Sequence, residues 1–184
     1  MRAVIVFILI LPSLTYSQDQ INWLTWDQMI AKRQLDSIPK KVFIDLYTGW
    51  CGWCKRMDAT TFKQKAIVDY MNQKYYAVKF DAETRDTINF NGIQFVNSDP
   101  LFEKRAINSR GKPHWFAHSI LDGKLSYPSY ALLDENLIRL AIYNGFKQQE
   151  ELIGILFFFG ADQHKYYHNL LYKQWNESNQ KNKQ

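Results

Sequence analysis

The chain has 184 residues, with 23 lysines and arginines against 18 aspartates and glutamates and a formal net charge of +5. That length fits one domain once a short leader is set aside, and it is enough to bury a core. The positive excess is modest and spread along the chain, much of it in Lys165, Lys173, Lys181 and Lys183, so neither a nucleic-acid surface nor a membrane surface follows from it.

Residues 1–17 carry one positive charge at Arg2, an unbroken apolar run from Ala3 to Leu11, then Pro12 and a stretch ending in Thr15-Tyr16-Ser17. This pattern predicts a secretory signal peptide, too short to span a bilayer and cut before Gln18. The domain, residues 18–175, is then expected in the periplasm or outside the cell, with no membrane span after cleavage. Thr25-Trp26-Asp27-Gln28 sets a hydroxyl three residues ahead of a glutamine, the mark of a capping box, and opens a helix with Trp26, Met29 and Ile30 on its apolar face. Residues 41–47 are mostly β-branched and aromatic, lie between Pro39 and Thr48-Gly49, and read as a buried strand. A helical period follows over 55–62 and 66–71, and residues 75–81 read as a second strand.

Cys51 and Cys54, in Trp50-Cys51-Gly52-Trp53-Cys54-Lys55, are the only cysteines. They fall at the carboxyl end of the first strand, in the strand, CxxC, helix order that reads as a redox dithiol. If the helix begins at Cys51, its unpaired N–H groups and positive dipole end favour the Cys51 thiolate, the attacking form, and leave Cys54 one turn deeper as the resolving thiol. Three other readings compete. A covalent c-type haem needs His directly after the second Cys, and Lys55 stands there. A closed zinc site needs two more ligands, and no further Cys supplies them. A purely structural disulfide closing so short a loop removes little unfolded-chain entropy. His114 and His118, like His164 and His168, stand four apart, but no Glu follows the first His of either pair as in a metalloprotease helix, and no metal is expected. Asp45 lies inside the apolar strand, where a charged carboxylate is costly; its pKa is expected to rise and let it act as a base near neutrality.

Farther on, residues 88–96 read as a hairpin around Asn91-Gly92, Arg110-Gly111-Lys112-Pro113 breaks the chain, and residues 114–121 read as a short helix. A last strand over 137–144, a turn at Gly145, a closing helix over 150–157 and a short helix with Leu170, Leu171 and Trp175 packed back on the body complete the domain. Residues 176–184 lack apolar side chains and are expected to form a disordered tail.

The segment Phe43-Ile44-Asp45-Leu46-Tyr47-Thr48-Gly49-Trp50-Cys51-Gly52-Trp53-Cys54-Lys55 resembles the active-site strand and helix of the thioredoxin superfamily. More narrowly, it is similar to exported bacterial thioredoxin-family proteins and to the C-terminal domain of the thiol:disulfide interchange protein DsbD. The likeness covers residues 22–160 and is weak in the middle. It implies an α/β, thioredoxin-like fold, a central mixed β-sheet flanked by helices, with an insertion over 85–125 ahead of a cis-proline loop. By the same resemblance Asp45 matches the buried acid that exchanges protons with the deeper thiol, and Asp58 matches a second acidic residue near the cysteines. Pro128 matches the proline held cis beside them, leaving the preceding backbone to pair with an extended substrate. Trp50, Trp53, Tyr127 and Pro128 are the expected substrate-binding residues, and Gly52-Trp53 departs from the Gly-Pro of typical thioredoxins. The implied activity is a thiol:disulfide oxidoreductase that reduces protein disulfides through Cys51 and Cys54 without a cofactor. It is expected to act as a monomer on disulfide-containing envelope proteins and to be recharged by an upstream electron donor. An oxidase or isomerase and a non-catalytic binding module are the alternatives, and the insertion is read as a lip that selects partners.

Overall fold

The computed structural model describes residues 20–98 and 110–181. The predicted signal peptide and residues 99–109 of the insertion lie outside them. In chain order the elements are β1 (Trp23–Leu24), α1 (Trp26–Leu35), β2 (Lys41–Tyr47), α2 (Gly52–Ala59), a 3-10 turn (Thr61–Lys63), α3 (Lys65–Lys74), β3 (Tyr75–Asp81), β4 (Ile88–Phe90), β5 (Ile93–Phe95), α4 (Trp115–Ile120), β6 (Ser129–Leu133), β7 (Arg139–Asn144), α5 (Gln149–Gly160) and α6 (Gln163–Lys181). Five strands form one mixed sheet in the order β1-β3-β2-β6-β7, with β1, β3 and β2 parallel and β6 and β7 antiparallel. This is the α/β architecture that the family resemblance implies, a mixed sheet with helices on both faces.

The central strand β2 is buried on both sides, and its alternation divides the core. Val42, Ile44 and Leu46 face a cluster holding Trp26 and Met29 of α1 and Phe116 and Ala117 of α4. Phe43 faces a second cluster with Met57 of α2, Ile67, Val68 and Met71 of α3, and Leu152 and Leu156 of α5. Asp45 shares the strand face of Phe43, so it points toward the side covered by the helix that carries the cysteines. The capping box of α1 closes as predicted: Gln28 N–H donates to Thr25 Oγ1 at 3.2 Å and Thr25 N–H donates to Gln28 Oε1 at 2.9 Å.

The insertion is more than a lip. Its hairpin turns at Asn91 and Gly92, both at positive φ (49° and 76°), as a tight Asn-Gly turn requires. Ile88 is buried in the first core, Phe90 packs edge-on to Trp26, Phe95 packs on Phe116, and Trp26 Nε1 donates to the Asn89 carbonyl at 3.1 Å. The hairpin therefore covers α1 and α4 as a second, small antiparallel sheet. A three-residue strand is too short to show a period, so its sequence does not reveal that these apolar side chains face the core.

The last helix departs further from expectation. α6 runs 19 residues, through Asn176 to Lys181, where a disordered tail was expected; the segment contains no Gly or Pro to stop it. Nor does it pack back along its length: His164 is buried against Phe158 and Phe159, but Leu170, Leu171, Tyr172 and Trp175 are exposed. Among the described residues, no helix is long and apolar enough to cross a membrane.

Candidate active site

The site is built where β2 ends. Thr48 accepts from Cys51 N–H through its carbonyl at 3.1 Å, which turns the chain so that Cys51 becomes the N-cap of α2. Cys51 Sγ accepts from Cys54 N–H at 3.1 Å, taking the place an oxygen side chain holds at most helix starts. One turn on, Cys54 is joined to Cys51 by a disulfide, with Cα atoms 5.3 Å apart. Both residues are buried, at 3% and 2% exposure. Once the bond is reduced, a sulfur at this helix terminus meets unpaired N–H groups and the positive dipole end, which favours its thiolate.

Asp45 is buried at 1% exposure, and the parallel register sets Lys79 of β3 directly beside it. Lys79 Nζ approaches Asp45 Oδ2 at 2.7 Å and is hydrogen-bonded to Asp58 Oδ1. Burial pushes the Asp45 carboxyl up from an ordinary 3.8 to about 6, the Lys79 ammonium holds it back, and Asp58 adds to the rise. Burial works against the Lys79 charge as well, but the two carboxylates outweigh it and raise its pKa. The ammonium is caged by the rings of Trp23, Tyr47 and Phe62 at 4.9, 5.2 and 5.3 Å. A surface cavity of about 270 Å³, lined by Asp58, Lys79, Trp23 and Phe62 among others, gives this group its contact with solvent. Asp58, predicted as a second acid, thus joins Asp45 through Lys79, while the antiparallel register puts Tyr130 of β6 on Asp45's other side.

The β2–β6 pairing sets Ser129 beside Leu46 and so brings Pro128 to the cysteine end of the sheet. The Tyr127–Pro128 bond is cis, and the Pro128 carbonyl accepts from Gly145 N–H at 2.8 Å. Tyr127 packs edge-on to Trp50, ring centroids 6.0 Å apart. Trp50 is fixed on its polar edge: its Nε1 donates to Glu83 Oε1 at 3.0 Å, and the same oxygen accepts from Gly111 N–H at 2.7 Å. Arg110 stands over the Trp50 ring at 4.6 Å. Trp53 stands apart from this group. It is 55% exposed on α2, beside Phe146 of the loop between β7 and α5, with Arg56 over both rings at 5.3 Å.

The predicted residues therefore form two groups, Cys51 and Cys54 with Trp50, Tyr127 and Pro128 at the mouth, and Asp45 with Asp58 below. Lys79, Glu83, Arg56 and Arg110 were not singled out from sequence. Lys79 left a signal, since it interrupts an apolar strand that must lie beside β2; Glu83 and Arg110 left none. No three His, Cys, Asp or Glu side chains among the described residues are grouped to hold a metal ion, and His114 is instead the buried N-cap of α4.

A family model described as Thioredox_DsbH, "Protein of unknown function, DUF255", matches residues 13–98, just under half of the 184-residue chain. A thioredoxin-fold protein from Helicobacter pylori is similar in structure with a TM-score of 0.53 and 14% identity, the alignment covering 80% of each chain. A structure described as DsbH oxidoreductase aligns with a TM-score of 0.45 and 11% identity over 77% of this chain and 87% of that one. The Caenorhabditis elegans protein B0495.5, described as uncharacterized, is 26% identical over 83 residues; the match covers 45% of this chain and 11% of that protein.

Proposed function

We propose that this thioredoxin-fold chain, whose residues 13–98 match the Thioredox_DsbH family model, is an exported thiol:disulfide oxidoreductase that reduces disulfides in other proteins. The observation that carries the reading is the Cys51–Cys54 bond at the start of α2, on the sheet face that also holds a buried acid of pKa about 6. In the reduced protein the Cys51 thiolate attacks one sulfur of a substrate disulfide. A Cys51–substrate bond forms, and the other substrate sulfur leaves as thiolate and takes up a proton. Asp45 accepts the Cys54 proton, and the Cys54 thiolate attacks Cys51 Sγ. The mixed disulfide breaks, the second substrate thiol departs, and the pair is left oxidised, as in the structure. Two electrons have passed to the substrate, and an upstream dithiol donor must return them.

Trp50, which precedes Cys51, and Tyr127 and cis Pro128, which reach the same end of the sheet with Tyr127 packed on Trp50, are assigned to substrate contact, with Trp53 at the outer edge. Supporting the resolving step are the acid at Asp45 and the ammonium that keeps it ionisable near neutrality. The export assignment rests on residues 1–17, and the partners it implies are disulfide-bonded proteins of the envelope.

The test is insulin reduction by dithiothreitol with and without the protein, together with the equilibrium potential of the pair. Wild type should accelerate reduction, Cys51→Ser should not, and Cys54→Ser should accumulate mixed disulfides. A potential below about −200 mV supports the reductase, whereas one near about −120 mV makes the protein an oxidant. No acceleration by wild type overturns the redox reading itself.

A further inference from the structure

Both tryptophans of the active-site motif carry a guanidinium. Arg110 lies over Trp50 at 4.6 Å, and Arg56 lies over Trp53 and Phe146 at 5.3 Å from each. Trp50 directly precedes Cys51 and Trp53 directly precedes Cys54, so each cation rests on the chain neighbour of one cysteine. Both arginines are exposed, as is Lys55 next to Cys54. Among the described residues, three nearby acids are already engaged. Glu83 is buried at 8% and accepts from Trp50 and Gly111, Asp58 is tied to Lys79, and Glu151 is tied to Lys147 at 3.0 Å. A shallow pocket of about 250 Å³ opens beside Arg56, lined by hydroxyl and amide groups of Thr60, Gln64 and Gln148, with Glu150 also in its lining.

We infer that this rim selects disulfides whose flanking residues are acidic: an extended polypeptide with Asp or Glu close to the cysteine that Cys51 attacks. The inference rests on the redox reading above and adds the chemistry of the substrate. A guanidinium resting over an aromatic ring still has N–H groups to offer a carboxylate, and its planar fork suits a two-point contact. Because each tryptophan is the chain neighbour of a cysteine, a carboxylate bound at its guanidinium is carried in with the substrate disulfide. Charges on an exposed rim act chiefly by steering encounter, so the preference belongs to the association step and depends on salt.

The experiment compares two peptide disulfides identical except for Asp or Lys beside the cysteines, with bis(2-hydroxyethyl) disulfide as a neutral reference, reduced by the pre-reduced protein in stopped flow. At low salt the acid-flanked peptide should react about tenfold or more faster than the base-flanked one. The ratio should fall toward unity at about 1 M salt, where the screening length is about 3 Å. In Arg56→Gln/Arg110→Gln, with each rate divided by that variant's own rate on the neutral disulfide, the ratio should collapse at low salt too, and in Glu150→Gln it should grow. A wild-type ratio within about twofold of unity at low salt, or a preference that survives both high salt and the double substitution, overturns the charge selection. Failure to reduce the neutral disulfide at all overturns the redox reading instead, and the selection with it.

Discussion

Replacing Asp45 by Asn keeps the shape of the side chain and removes its charge, and the consequence for stability has a sign that depends on pH. The folded carboxyl titrates near 6 against an ordinary 3.8, so the folded state holds a proton that the unfolded chain has released between those values. The stability that this proton carries is fully present below about pH 3.8 and is lost as pH rises through about 6. At 1.36 kcal/mol for each pH unit, the loss approaches about 3 kcal/mol above pH 7. The attraction of Lys79 is already contained in the value of about 6. Asparagine cannot ionise and escapes the loss. Asp45→Asn should therefore be more stable than wild type at pH 8 by about 2–3 kcal/mol beyond any difference at pH 4, or roughly 5–10 °C in Tm for a domain of this size. Urea and thermal unfolding of both oxidised proteins at the two pH values make the comparison. An equal difference at pH 4 and pH 8, or one that moves against the variant between pH 4 and pH 8, would refute the burial of an ionisable Asp45. The same substitution should slow resolution of the mixed disulfide at pH 7 more than the initial attack.

Lys79→Met removes the ammonium that holds Asp45 down, so the carboxyl should titrate above about 6 and the pH profile of resolution should shift upward; an unmoved profile would detach Lys79 from the reaction. Phe116→Ala should cost about 3–5 kcal/mol, because its ring is fully buried among Trp26, Phe80, Phe90 and Phe95, and a cost below about 1 kcal/mol in urea would mean that the hairpin is a lip after all.

Where one stretch of chain held both the signal and its partners, the sequence was legible. β2 and β3 have the predicted bounds, since a run such as Lys41–Tyr47 is buried on both faces and ends at Thr48-Gly49. The last strand begins late, at Arg139, because Asp134 Oδ1 accepts from Asn136 and Ile138 N–H at 2.8 Å each and draws 134–138 into a loop with Leu137 at φ 64°. That Asx-type turn is local chemistry that a purely hydrophobic reading of 137–144 passes over. α6 failed for the opposite reason. A polar segment without Gly or Pro continues a helix readily, and low hydrophobicity was taken for disorder.

The site divides along the same line. Cys51, Cys54 and the N-cap geometry lie within four residues of one another, and Asp45 precedes them on the strand that delivers them, so this part of the candidate site is legible in one short stretch of sequence. Their acidity cannot, because the ammonium beside Asp45 comes from another strand by register, and the carboxylate that anchors Trp50 comes from beyond the end of β3. Parallel pairing of β2 with β3 was already implied by the strand, helix, strand order. Aligning the single Lys of one buried run with the single Asp of the other would have proposed the Asp45–Lys79 pair, since an unpaired charge in either strand is far costlier than the pair. No such argument reaches Arg110. Its place over Trp50 depends on the Glu83 carboxylate accepting from both the indole and Gly111, a junction of two loops that carries no periodicity, and it is there that the insertion meets the active site. The chain from the end of β3 into the insertion thus does two physically separate jobs: its hairpin closes the core over α1 and α4, while Glu83 just ahead of the insertion and Arg110 within it set a carboxylate and a cation against the tryptophan next to Cys51.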